Sequence, residues 1–152
     1  MIGRIYTVAI GAEAHTAADT LIEIAAPADA TVFVERIYIS QSSQDTSENL
    51  ACKVERITTT GTGTTTTARP TEEGDSAFGG VVKTNLTVAP TYSGTVLIEQ
   101  GFNVLSGFLW TPASDDELIV ISPTKLVGIM LDVAPAASMN FHYGCTIREI
   151  GG

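Results

Sequence analysis

The chain is a succession of short runs in which apolar and polar residues alternate, separated by Gly, Pro, Thr and Asp. The last run shows the pattern most clearly. Its apolar side comprises Met139, Phe141, Tyr143, Cys145 and Ile147, and its polar side comprises Asn140, His142, Thr146 and Arg148. A period of two is typical of a β-strand with one buried and one solvated face. Because no stretch shows clear helical spacing, we predict an all-β domain.

Eight runs of this kind are long enough to form strands. They are Ile5–Ile10, Asp19–Ala25, Thr31–Gln41, Leu50–Thr58, Gly94–Glu99, Glu117–Ile121, Lys125–Val133 and Met139–Ile150. Turn residues such as Pro27, Asp29 and Pro123 separate several of them, as in connections between sandwich strands. We therefore predict a two-sheet antiparallel β-sandwich that occupies residues 1–152 as a single domain.

The middle of the chain departs from this pattern. Residues 58–80 are rich in Thr and Gly and are predicted to form a long loop. Long loops in compact domains are uncommon and are usually functional or disordered. Two alternatives remain open at this point: an arm that becomes ordered against a neighbouring subunit, and a flexible surface loop.

Composition adds a second indication of assembly. Apolar residues make up 44% of the 152 residues and charged residues 16%, with a mean hydropathy of +0.23. Charged residues make up about 25% of an ordinary soluble domain. The apolar excess fits an interface between subunits, and it equally fits strands that are buried on both faces.

The net charge of the chain disfavours some classes of partner, and its first residues and its cysteines bear on the cellular compartment. A formal charge of −9 and scattered cations oppose binding to nucleic acid or to an anionic membrane. The first ten residues lack the pattern of a secretory signal, so we expect synthesis in the cytosol. Cys52 and Cys145 lie at core-side positions of their strands. We expect both to be buried thiols, and a disulfide between them remains an alternative.

Residues with catalytic potential do not form a recognisable motif. His15 and His142 have no cysteine or carboxylate at metal-ligand spacing, and the common nucleophile and phosphate-binding motifs are absent from the sequence. The acidic clusters are Glu72–Asp75 and Asp115–Glu117, which are typical of solvated turns. We therefore predict a protein that is not an enzyme and that uses no cofactor and no metal.

Two further irregular segments, Thr87–Ser93 and Gly101–Asp116, contain aromatic residues that allow two interpretations. Trp110, Phe108 and Tyr92 lie in or beside these segments and could stack against carbohydrate. Phe102, Phe108 and Trp110 could instead close the ends of a sandwich or fill an interface.

Several segments together resemble a family of small tailed-bacteriophage capsid decoration, or cement, proteins. The resemblance covers nearly the whole chain. It is carried by Ile39–Ser43, Ala68–Pro70, Gly74–Asp75, Gly101–Phe108 and Glu149–Gly152.

The resemblance implies a jelly-roll-like fold and a structural function on the outside of an icosahedral head. The implied partners are the major capsid protein and further copies of the chain in a homotrimer, at the capsid surface of the virion. Interface candidates lie in the loops around Arg69–Phe78 and Phe102–Trp110. They are Arg69, Pro70, Phe78, Phe102, Phe108 and Trp110.

The alternative function is that of a receptor-binding or glycan-binding head of a tail or head fibre. An exposed aromatic platform, formed by Trp110 with Tyr92, would distinguish it. A hydrolase would instead require two carboxylates that converge in a cleft, with Glu73 and Asp116 as the residues to test.

Overall fold

Residues 3–151 are described by a computed structural model, and they form two antiparallel β-sheets packed face to face. The strands are β1 (Arg4–His15), β2 (Thr20–Ala25), β3 (Ala30–Gln41), β4 (Asn49–Thr59), β5 (Thr62–Thr66), β6 (Arg69–Pro70), β7 (Val81–Val88), β8 (Thr91–Asn103), β9 (Phe108–Trp110), β10 (Ile119–Ile121), β11 (Leu126–Leu131) and β12 (Met139–Gly151). One turn of 3₁₀-helix, Asp115–Glu117, precedes β10. The predicted all-β sandwich is confirmed.

The chain crosses repeatedly between the two sheets. The first sheet has the order β10-β3-β12-β1-β6, with β9 also paired to β3, and the second has the order β5-β7-β2-β11-β4-β8. The chain therefore crosses between sheets from β1 to β2, β2 to β3 and β3 to β4, and again from β10 through β11 to β12. This repeated crossing between two antiparallel sheets is jelly-roll-like.

The core lies between the sheets and follows the alternation seen in the sequence. On β12, the predicted apolar side from Met139 to Ile147 is buried. Val32 on β3 in the first sheet and Ile129 on β11 in the second sheet are also buried. Each such side chain contributes about 1.5–3 kcal/mol by leaving water. The period of two therefore fixes which face of each strand meets the other sheet.

The middle segment is more regular than predicted. Thr62–Thr66 pairs with Val81–Val88 at the edge of the second sheet, and Arg69–Pro70 pairs with β1 at the edge of the first. The prediction of one long loop over residues 58–80 was therefore wrong for these two strands, and β7 was not predicted. Threonine is β-branched and suits a strand, so a Thr-rich sequence can complete a sheet edge within its own chain.

Buried glutamates anchor the loops of this middle region to the sandwich. Three glutamates are buried, and each accepts a hydrogen bond from a glycine N–H, two of them in loops and one, Gly94, near the start of β8. The pairs are Glu23 with Gly61 at 2.8 Å, Glu55 with Gly94 at 2.6 Å, and Glu149 with Gly79 at 2.9 Å. A carboxylate that accepts backbone N–H groups forms a strong, charge-assisted hydrogen bond. The loops between β4 and β8 are thus fixed to the sandwich.

Cys52 and Cys145 are buried free thiols, which confirms the favoured assignment. Burial raises the pKa of each thiol to about 12. Within residues 3–151, no helix has the length and apolar character needed to cross a membrane.

Candidate functional site

The two sheets present outer faces of different chemistry. The outward side chains of the first sheet align across its strands in three rows, and we call this surface the arginine face. The rows are Val120–Phe33–Arg148–Ile5, Arg36–Thr146–Thr7–Arg69 and Leu109–Tyr38–Gly144–Ala9. Most of these residues are apolar, aromatic or small, and the ionised ones are arginines.

Aromatic side chains and arginines contact each other on this face. The Arg148 guanidinium lies 5.5 Å from the centre of the Phe33 ring, and the Arg36 guanidinium lies 5.8 Å from that of Tyr38. Arg148 also lies 2.7 Å from a carboxylate oxygen of Glu35. Within residues 3–151, Arg36 and Arg69 have no carboxylate oxygen within 4.0 Å. The arginine face is therefore locally basic in a chain with a net charge of −9.

Exposed apolar side chains lie at the β9 and β10 end of the arginine face. Leu109 is 59% exposed and Val120 is 37% exposed. Their strands pair with different parts of β3, so both side chains continue the outer surface of the same strand. Aromatic residues and Arg are enriched at the centres of protein interfaces, where they contribute most of the binding free energy. The arginine face has this composition.

One row on the outer face of the second sheet consists of charged residues and a glycine. Lys83, Glu23, Gly128 and Glu55 are directly opposite one another on four neighbouring strands. The absence of a side chain at Gly128 leaves room for Tyr92, since a Cβ there would lie 2.7 Å from the Tyr92 hydroxyl oxygen. Burial raises the pKa of Tyr92 to about 12.

The ionised groups in this row already have partners. Glu23 accepts hydrogen bonds from Gly61 N–H and the Thr60 hydroxyl, and Lys83 Nζ lies 3.7 Å from Glu23. Glu55 accepts from Gly94 N–H. Glu23 thus fixes the loop between β4 and β5 and Glu55 fixes the start of β8, so the arrangement favours a structural role for the row.

A second polar cluster lies at one end of the sandwich. His15 is buried, with Nδ1 at 3.0 Å from Asp19 Oδ2 and Nε2 at 2.9 Å from Glu13 Oε1. The same Glu13 oxygen accepts a 2.6 Å hydrogen bond from the Tyr143 hydroxyl. Burial, together with this hydrogen bond, raises the pKa of Tyr143. Both ring nitrogens of His15 therefore have a carboxylate partner within the cluster.

A bulge in β1 produces this cluster. Pairing with β12 shifts register between Ile10 and Glu13, and Ala12 has φ of 55°. After the bulge, Glu13 and His15 are paired with Phe141 and Met139, two core residues. Across residues 3–151, no group of three or more His, Cys, Asp or Glu side chains has an arrangement that could hold a metal ion.

The predicted interface residues are divided between surface and core. Arg69 is exposed and belongs to the arginine face, next to Pro70 on the edge strand β6. Phe78 is half-buried, and its ring lies 5.3 Å from that of Tyr6. Of the predicted set, the structure therefore leaves Arg69 most open to a partner.

The other three predicted interface residues are buried in the core or packed against it. Phe102 and Phe108 are 9% and 3% exposed, and their ring centres are 5.8 Å apart. Trp110 is half-buried opposite the core residue Ile37. The assignment of Phe102 and Phe108 to an interface was therefore wrong, because their side chains close the core.

The remaining aromatic and acidic candidates are far apart in the fold. Tyr92 belongs to the second sheet and Trp110 to the first, so they do not form one platform. Glu72 and Glu73 are exposed in a turn after β6, and Asp116 is exposed before β10. The two acidic turns follow strands at opposite edges of the first sheet.

The sequence analysis did not identify the arginine face or the buried glutamates. Outward positions were recognisable from strand parity, but which outward residues are neighbours depends on the register between strands that are distant in sequence. Compared with known proteins, the chain matches no protein-family model, no curated protein and no solved structure.

Proposed function

We propose that this chain is a structural virion protein that binds the outside of an icosahedral phage head and reinforces it, in the manner of a capsid decoration or cement protein. The observation that carries the proposal is the arginine face, an apolar and basic surface on an acidic protein. The phage context comes from the resemblance of the chain to decoration proteins.

The arginine face suits a broad protein partner. It is built on regular strands of one sheet, so its side chains are positioned before binding and little order has to be gained. Arg36 and Arg69 lie at opposite ends of one row, where each can pair with a carboxylate of the shell. We propose that this face contacts the major capsid protein.

Reinforcement requires a body that does not deform when it is bound across a joint. The described chain is a sandwich with a continuous core, and buried glutamates fix its middle loops. Close-packed interiors have low compressibility. A rigid protein that bridges neighbouring capsid subunits would oppose their separation under internal pressure.

Binding to expanded, undecorated heads of the phage that encodes the chain tests the proposal. The wild-type protein is titrated onto heads, the heads are pelleted, and bound copies per particle are counted. Leu109→Glu places a carboxylate on the arginine face, and Leu105→Glu is the matched control because Leu105 is 54% exposed in the turn between β8 and β9.

We expect the wild-type protein and Leu105→Glu to saturate at the same copy number. Leu109→Glu should bind at least about tenfold more weakly, since an interface residue is replaced by a charge that must be desolvated. Failure of the wild-type protein to bind competent heads would contradict the function. Equal binding by both variants would remove the arginine face from the contact.

A further inference from the structure

A second basic site lies where the edge of the first sheet passes over the second. Here β10 and the turn after it form a groove of about 520 Å³ with β4 and the start of β11. Its lining includes the two cations Arg56 and Lys125 and the hydroxyl residues Thr58, Ser122 and Thr124. We call it the edge groove.

The cations of the edge groove have no carboxylate partner in the described chain. Arg56 donates a 2.7 Å hydrogen bond to the carbonyl oxygen of Val120, which ties β4 to β10. Within residues 3–151, no carboxylate oxygen lies within 4.0 Å of Arg56 or Lys125. Two unneutralised cations and several hydroxyl groups favour a ligand that carries carboxylates.

The turn that carries Lys125 contains a residue with a positive φ angle. Lys125 N–H donates to the Ser122 carbonyl, and Thr124 has φ of 66°. A β-branched residue in this left-handed region is uncommon, and such residues persist where surrounding contacts hold them. Thr124 N–H donates to the Pro27 carbonyl, so the rim of the groove is held in place.

A complementary acidic segment lies at the opposite edge of the first sheet. The turn Glu72–Asp75, which we call the acidic turn, follows β6 and is closed by a hydrogen bond from Asp75 N–H to the Glu72 carbonyl. Glu72 and Glu73 are exposed. The Tyr6 hydroxyl donates to the Ser76 carbonyl just beyond the turn, which holds it against the sandwich.

The two features cannot meet within one copy. Strands β6 and β10 are the two ends of the order β10-β3-β12-β1-β6. Four strand spacings of about 4.8 Å separate them by roughly 19 Å. A contact between different patches of identical chains is heterologous and generates a ring when its rotation closes. Placement of the two features on different surfaces of the chain allows such a head-to-tail contact.

We propose that the edge groove of one copy binds the acidic turn of the next, with Lys125 and Arg56 facing Glu72 and Glu73, and that this contact builds the homo-oligomer. The inference rests on the proposed function, in which that oligomer decorates the head. It assigns contacts between copies to the edges of the first sheet and leaves the rest of the arginine face for the shell, with Val120 at the boundary between the two surfaces.

Charge exchange between the two sites tests the contact. The variants are Lys125→Glu, Glu73→Lys and the double variant that carries both changes, and Asp116→Lys is the control because it makes the same charge change on the other acidic turn. Sedimentation velocity over a range of protein concentrations measures association. Circular dichroism and thermal unfolding of each variant verify that these exposed positions leave the fold intact.

We expect each single variant to raise the dissociation constant at least about tenfold, because like charges then face each other. The double variant should recover association, and Asp116→Lys should behave as wild type. Association of the wild-type protein should also weaken as salt concentration rises. Unchanged association in both single variants, no recovery in the double variant, or a monomeric wild-type protein would each overturn the inference.

Head binding separates this inference from the proposed function. Each variant is also pelleted with undecorated heads. Charge-insensitive association with normal head binding would overturn the edge contact and leave the function standing. Charge-dependent association without any head binding would support the edge contact and contradict the function.

Discussion

Glu23 offers the sharpest test of how this fold is held together. Its side chain is 1% exposed on the outer face of the second sheet. It accepts from Gly61 N–H and the Thr60 hydroxyl, and Lys83 supplies the neutralising charge. If these contacts fix the loop between β4 and β5, then removal of the carboxylate should destabilise the whole domain and free that loop first.

The magnitude follows from the partners left behind. Breaking a buried ion pair by removing one member costs about 3–5 kcal/mol. The Lys83 side chain keeps 22% exposure and can recover some hydration, which places Glu23→Ala near the lower end, at about 3–4 kcal/mol. At about 2–4 °C per kcal/mol for a domain of this size, the melting temperature should fall by about 6–16 °C.

Urea unfolding at a fixed protein concentration measures the change, since association would otherwise alter the apparent stability. Glu23→Gln also removes the charge that faces Lys83 but keeps one acceptor oxygen, so it should lose less stability than Glu23→Ala. Glu99→Ala removes an exposed glutamate from the same sheet and should stay within about 0.5 kcal/mol of wild type.

Hydrogen exchange adds a local readout. In Glu23→Ala the amide of Gly61 should exchange faster, whereas the amide of Gly94 should change less because Glu55 still anchors it. A Glu23→Ala protein that matches Glu99→Ala in stability, with an unchanged Gly61 amide, would refute the anchoring role.

Other consequences of the structure can be measured independently. Ala12→Gly should raise the free energy of unfolding by about 0.5–1 kcal/mol because φ at Ala12 is 55°, while Ala14→Gly in the same strand should lower it by a similar amount; chemical denaturation distinguishes them, and equal signs would contradict the bulge. Cys52 and Cys145, with pKa values of about 12, should react with a thiol reagent at pH 8 only as fast as the protein opens, and rapid labelling of the native protein would contradict their burial. Tyr92 keeps its proton in the folded state up to a pKa of about 12, against about 10 when unfolded, so its contribution to stability is complete below pH 10 and is lost as pH rises towards 12. Unfolding of Tyr92→Phe should depend less on pH in that window, and an identical pH dependence would contradict this assignment.

The strands were predictable because their side chains alternate, and the alternation survives in the structure. The segment Met139–Ile147 has a buried and an outer side, as the pattern indicates. The Thr-rich segment was predicted to be a loop because a strand of threonines carries no period-two signal. Threonine has no strong preference for the buried or the solvated face of a strand. Pairing between Thr62–Thr66 and Val81–Val88 became visible only in three dimensions.

The candidate surfaces were less predictable than the strands. Arg36 and Arg69 belong to one surface because β3, β12, β1 and β6 are neighbours, and no local pattern in the sequence specifies that order. Phe102 and Phe108 lie in a segment that was predicted to be irregular, so they were expected either to close an end of the sandwich or to fill an interface, and the β8–β9 turn returns both rings to the core. Register over long sequence separations therefore decides which exposed residues act together.

The count of bound copies on expanded phage heads tests the proposed decoration function most directly. Purified wild-type protein is added in excess to undecorated heads, free protein is removed by sedimentation, and the bound protein is quantified against the major capsid protein. We predict saturation at a fixed copy number that matches a symmetry class of head sites. Absence of binding, or uptake that rises without saturation, would contradict the proposed function.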